Sequence, residues 1–207
     1  MKQVQVAGPV RLGLSSRAAT TKDGLLSAAR QVFTASGFTE SSIAEVVARA
    51  GASVGSLYHH FGGKAELYLA LFEDYQQRQE ARAAAAVRTA RAEGEADPVA
   101  LFVAGGRAYL DGCWLERDLA RLFLAGGGPP GFELIARRRY REWTARNATL
   151  LKHGPDDGVE PWGDALVLVL TSVVAEAGHE VAVCEDEQRA QRLAQDVLAL
   201  VGRIGTP

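Results

Sequence analysis

With two cysteines in 207 residues, a disulfide framework is out of reach, and Cys113 and Cys184 lie far apart without a CxxC partner, so no zinc knuckle is encoded either. Such usage suits a reducing compartment, and a cytoplasmic location is expected. A membrane partner is not expected: the most apolar run, ALVLVLTSVVAEAG from Ala165, meets Glu176, His179 and Glu180 before it reaches spanning length, which predicts a buried helix. At the N-terminus Gln3, Gln5, Gly8 and Pro9 interrupt any secretory apolar stretch. Catalytic signatures are missing too, with no HExxH, no Walker pattern and no nucleophile elbow. The glycine run at 126–128 is followed by proline and preceded by no strand, a poor phosphate cradle. His179–Glu180 with Cys184, and His153 with Asp156–Asp157, contain ligand types without a metal-site spacing, so surface or core roles are favoured. The expectation is a non-enzyme with neither cofactor nor metal.

What is present is an ordinary globular composition, 47% hydrophobic and 23% charged, with a net charge of −2. The charge is unevenly spread. Residues 1–70 carry seven Lys/Arg against four Asp/Glu, a net of +3, and the remainder carries −5. A basic head on an acidic body hints at a polyanion partner for the head.

No strand pattern or internal repeat occurs, and nearly every segment has helical periodicity. Residues 1–17 read as a flexible arm, with Gly8, Pro9, Gly13 and Ser15–Ser16. A first helix is expected from Thr20 or Thr21, where Thr20 and Asp23 have capping-box spacing, and Gly24 in its first turn favours fraying. Its apolar face is Leu25, Ala28, Ala29, Val32 and Phe33, and Gly37 stops it. A short helix over 41–49 buries Ile43, Val46 and Val47, and Gly51 ends it. Ser53 caps another, with Leu57 and Phe61 inward. After Gly62–Gly63 a long helix runs over 64–93. Further helices are expected near 98–113, 116–125, 131–152, 162–184 and 186–203, with loops at 126–131 and 153–161. The fold class is all-α: an arm (1–17), a three-helix head (18–66) and an antiparallel helical body (67–207).

Two short helices joined by a tight glycine turn, in GFTESSIAEVVARAGASVGSLYHHFGGK over 37–64, form a helix-turn-helix. Ser41 and Ser42 put hydroxyl donors and free N–H groups at a helix start, where a phosphate is favoured. The second helix begins small and then bears donors, as major-groove entry requires; its outer face is Val54, Gly55, Ser56, Tyr58 and His59. On this string, and on the T-x-D-x-L-L start at Thr21, residues 20–70 resemble the TetR family of bacterial repressors. The resemblance implies that Ser41, Ser42, Ser53, Tyr58, His60 and Lys64 touch phosphates of double-stranded DNA, while Val54, Gly55, Ser56 and His59 face bases. Val54, lacking a hydrogen-bonding tip, reads a thymine methyl or groove shape.

Aromatic residues gather in the body, and Tyr109, Trp114, Phe123 and Trp143 are candidate walls of a pocket for a small apolar effector, although core packing is the simpler role for any one of them. RRRYR at 137–141 reads as a solvated helix face rather than an anion site. The last helix carries a continuous stripe of Ala190, Leu193, Ala194, Val197, Leu198 and Val201, and the one before it is apolar nearly all round, so a homodimer through 162–203 is expected. The leading reading is a ligand-released homodimeric repressor on a palindromic operator. A regulator of the same fold without an effector or acting as an activator, and an all-α enzyme or scaffold, are the alternatives.

Overall fold

A computed structural model describes residues 13–124, 127–152 and 163–205. Most of the arm expected over 1–17, the 153–161 loop and Trp162 lie outside the described residues. Among those residues every regular element is a helix: α1 (Gly13–Glu40), α2 (Ile43–Ala50), α3 (Val54–Phe61), α4 (Lys64–Ala92), α5 (Pro98–Leu115), α6 (Arg117–Leu124), α7 (Phe132–Lys152), α8 (Gly163–Val183) and α9 (Glu187–Gly205). Most bounds fall within two residues of the sequence expectation. The exception is α1, which starts at Gly13 rather than near Thr20. Residues 13–17 are therefore helix, Thr20 and Asp23 are not a cap, and Gly24 sits in the helix interior. Ala18 and Ala19 favour helix, and no proline follows Pro9 to stop it. The expected break at Gly37 is present as a kink (φ 73°), after which one further turn reaches Glu40.

Leu25, Ala28, Ala29, Val32 and Phe33 of α1 are all buried against Val46, Val47 and Leu57 of the two short helices. The same core continues without interruption into Leu67, Tyr68, Leu71, Phe72 and Tyr75 of α4, then Leu119 and Phe123 of α6 and Phe132 of α7. The expected boundary at 66/67 is thus crossed by one continuous apolar core. A second core joins Val99, Phe102, Leu110 and Cys113 of α5 to Val167, Leu170, Val174 and Val181 of α8 and Ala190, Ala194, Leu198 and Val201 of α9. By length and composition α8 could cross a membrane, but its inner face packs on α5, α6, α7 and α9.

An ionic tie also joins head and body, at a place the sequence did not flag. Arg30 of α1 donates from Nε to Asp118 Oδ2 at 2.7 Å and from a terminal nitrogen to Asp118 Oδ1 at 2.6 Å. The buried Glu116, between α5 and α6, accepts from Arg78 Nε at 2.9 Å and Arg82 at 2.6 Å, with Arg30 at 3.4 Å. Burial alone would raise the Glu116 carboxyl. The hydrogen bonds and charges of Arg78 and Arg82 outweigh it and hold the group below its ordinary 4.5. For Asp118 burial likewise raises and Arg30 more than compensates, holding it below 3.8.

Replacing Glu116 with alanine leaves three arginines facing one another. Because each is about a third exposed, the loss is expected at about 1–3 kcal/mol in urea unfolding, less than for a fully buried pair. Both carboxyls have lowered values, so the stability they add is complete above their ordinary values and is lost as pH falls through the lowered ones. Wild-type stability is therefore expected to hold down to about pH 4.5 and fall below it, with a shallower fall in Glu116→Ala.

Candidate nucleic-acid interface and cavity

The start of α2 is built by a reciprocal cap. Glu45 N donates to Ser42 Oγ at 3.2 Å, and Ser42 N donates to Glu45 Oε2 at 2.8 Å. Gly51 ends the helix in the left-handed region (φ 60°), its N–H donating to Ala48 O and Val47 O, and the chain turns there into α3. Ser53 caps α3 by accepting from Ser56 N at 3.1 Å. Leu57 faces fully inward and Phe61 partly so, which orients the rest of the helix outward. Val54 (47% exposed) and Tyr58 (52%) stand in solvent with Gly55 and His59, while Ser56 and His60 are half-buried beside them. A side chain at Gly55 would meet only Ser53 Oγ, at 3.9 Å, so the backbone here is open to a partner. Lys64, at the start of α4, donates from Nζ to Thr39 O at 3.1 Å, over the Phe38 ring at 4.6 Å.

One expected site residue is placed differently. Ser41 is buried (5% exposed), and its hydroxyl donates to Phe38 O at 2.8 Å, which closes the kinked end of α1. Its side chain is therefore committed inward, leaving the hydroxyl of Ser42 at the surface.

In the body, α4, α5, α6, α7 and α8 enclose a cavity of about 380 Å³. Of the four aromatics expected there, Tyr109, Phe123 and Trp143 line it, and the rings of Tyr109 and Trp143 meet at a tilt with centroids 5.0 Å apart. Trp114 is not among its walls. It lies five residues past Tyr109, about 140° around the helix, and packs half-buried under the Arg117 guanidinium at 4.3 Å. Cys113, one turn on from Tyr109, takes the inward place. Burial pushes its thiol up to about 11, so it is a packing group and not a nucleophile. Phe72 and Tyr75 complete the wall toward the head.

RRRYR is more than a solvated face. Arg139 is half-buried and pairs with Glu73 of α4 and Glu142, and the Tyr140 hydroxyl meets Ser172 Oγ at 2.8 Å. Gln79 was missed altogether. It follows Tyr68, Leu71, Phe72 and Tyr75 at helical spacing, and a polar residue continuing a buried stripe was the available signal.

Across residues 25–71 the chain matches the family described as "Bacterial regulatory proteins, tetR family". Residues 25–71 are similar to the tetR family. The family that this segment matches is one of bacterial regulatory proteins, and a helix-turn-helix is the element with which such a head meets DNA. The A-factor receptor protein of Streptomyces griseus is 26% identical over 187 residues, covering 87% of this chain and 61% of that protein, so the chain spans about three fifths of the length of that curated relative. Among solved structures, a tetR-family transcriptional regulator from Pectobacterium atrosepticum is 25% identical, with 95% of each chain covered and a TM-score of 0.58. A transcriptional regulator from Aquifex aeolicus VF5 has a TM-score of 0.68 at 21% identity, over 89% of this chain and 99% of that one, a likeness of fold alone.

The helix-turn-helix head stands on its caps. Ser53→Ala removes the side-chain acceptor for Ser56 N and is expected to cost about 1 kcal/mol in urea unfolding, with the helical signal of the folded state retained. Ser42→Ala should cost a similar amount, since Glu45 N loses its side-chain acceptor while the backbone bond from Ser42 N to Glu45 Oε2 stays.

Proposed function

We propose that this chain is a DNA-binding regulator of the tetR family, a homodimeric repressor that holds a palindromic operator with two copies of α3 and lets go when an apolar molecule fills the cavity in its body. The observation that carries the reading is the outer face of α3: small at its start, bearing hydroxyl, phenol and imidazole groups further on, and turned to solvent by a fully buried Leu57. In this reading Val54, Gly55, Ser56 and His59 meet base edges. Ser42, Ser53, Tyr58, His60 and Lys64 hold phosphates, and Ser41 acts indirectly by closing the end of α1. A chromosomal operator implies a cytoplasmic location.

Support for a dimer comes from surface that one chain leaves uncovered. Less than half of the apolar stretch of α8 is buried, and Leu168, Val169 and Val173 stand exposed on it. On α9 Leu200 and Ile204 are exposed, one turn apart and in step with the half-buried Leu193 and Val197. Pairing the α8–α9 hairpins of two chains in a four-helix arrangement covers these residues and sets two α3 helices for successive major grooves about 34–36 Å apart. Leu198, by contrast, is buried within its own chain.

Support for release comes from shared residues. Phe72, Tyr75 and Phe123 line the cavity and also belong to the core on which α1, α2 and α3 rest. A ligand that moves them moves α4 and the head, and by reciprocity it binds the DNA-bound dimer more weakly than the free one. That a relative is named as a receptor agrees with this reading.

Binding to a duplex containing the gene's own upstream region is expected to fall steeply with salt. Lys64→Ala should weaken binding to every sequence and lower the salt slope by about one unit, whereas His59→Ala should alter base preference. Unchanged affinity in both Lys64→Ala and Tyr58→Ala contradicts the assignment. By light scattering, a double variant of Leu200→Glu and Ile204→Glu should be a folded monomer, whereas Leu198→Glu should unfold the chain. A wild-type monomer at micromolar concentration contradicts the dimer.

A further inference from the structure

The cavity has apolar walls and one buried polar group with nothing to bind. Gln79 is 2% exposed, and neither its Nε2 nor its Oε1 has a hydrogen-bond partner. The Tyr75 hydroxyl is close by but does not meet the amide in hydrogen-bond geometry, facing Cys113 Sγ at 3.9 Å instead. A carboxamide stripped of water and left unpaired lowers stability, and a leucine or methionine would continue the stripe of Tyr68, Leu71, Phe72 and Tyr75 without that penalty. The neighbouring helix nevertheless makes room for it. Position 112 is glycine, and a Cβ there would collide with Gln79 Oε1. With Oε1 lying against α5, the Nε2 hydrogens are left for whatever occupies the cavity.

The charged groups around the cavity are otherwise engaged. Arg139 is held by Glu73 and Glu142, Glu80 is held by Arg146, His179 Nδ1 lies 3.8 Å from Glu176 Oε2, and Arg137 is exposed at the mouth. The cavity wall therefore presents aromatic rings, alanines, a neutral thiol, the half-buried Gln76 and His179, and one fully buried amide without a partner, that of Gln79. A charged ligand group placed there would be desolvated without a counter-charge.

Building on the effector reading above, we propose that the cavity takes an uncharged, mainly apolar molecule bearing a carbonyl oxygen, and that Gln79 Nε2 donates to that oxygen. The amide is then satisfied only in the occupied protein. Gln79 trades stability of the empty fold for selection of the ligand, because an isostere without the oxygen leaves the donor unpaired.

The test uses the full-length protein and three matched probes in equilibrium dialysis: 2-acetylnaphthalene, 2-isopropylnaphthalene and 2-naphthoate. Gln79→Leu is expected to lower the affinity for the ketone about five- to tenfold relative to the hydrocarbon, and to raise the melting temperature of the empty protein. Gln79→Met, closer in shape, should behave in the same way if leucine proves too wide. An unchanged ketone-to-hydrocarbon ratio in both variants, or a lower melting temperature in both, overturns the anchor. Binding of naphthoate as tight as that of the ketone overturns the uncharged class. If wild-type protein takes up neither neutral probe, the effector cavity itself fails and the anchor with it, whereas tight uptake that ignores Gln79 leaves the cavity standing.

Discussion

Everything in this molecule leans on one side chain, the ring of Tyr68. Its centroid lies 5.5 Å from Phe33 and 5.3 Å from Phe38 in the head, and 5.4 Å from Phe123 and 5.3 Å from Phe132 in the body, each in an edge-to-face arrangement. The ring is fully buried, and its hydroxyl reaches Leu122 O at 3.4 Å. Burial pushes that phenol up to about 12, so it stays neutral and keeps its hydrogen to donate. A head of one long and two short helices buries only a small core of its own. Packed around Tyr68, it becomes the end of a longer core.

That arrangement joins the proposed effector cavity to the helix-turn-helix through one continuous core. Close-packed interiors transmit displacement rather than absorb it. Phe123, next to Tyr68, and Phe72, next to Phe123, both line the cavity. Outside the apolar core, Arg30 clamps α1 to the α5–α6 turn through Asp118, so the head is held to the body by a second and chemically different contact. A shift of α6 is felt by α1 along both routes.

Local features were legible in the sequence wherever one residue type has one physical use. Gly51 and the serine caps at Ser42 and Ser53 mark the helix-turn-helix, and the spacing of Leu25, Ala28, Ala29, Val32 and Phe33 marks a buried face. What stayed hidden depends on contacts between residues far apart in the chain. The partners of Glu116 lie more than 30 positions away, and no local pattern announces them. Ser41 and Ser42 look alike as neighbours, yet the kink at Gly37 turns one hydroxyl inward and leaves the other as a cap. Trp114 was misjudged because composition names an aromatic without saying which way its helix turns it. The early start of α1 was missed because a weakly patterned polar stretch can still continue a helix that tertiary contacts secure further on.

The central claim, that two copies of α3 read one duplex, is tested most directly by selecting bound sequences from a pool of random duplexes with the purified protein. The account predicts enrichment of a palindrome whose half-sites are centred about one helical turn, or a small multiple of it, apart. A pool no different from the input, or a single asymmetric half-site without its inverted copy, would contradict it.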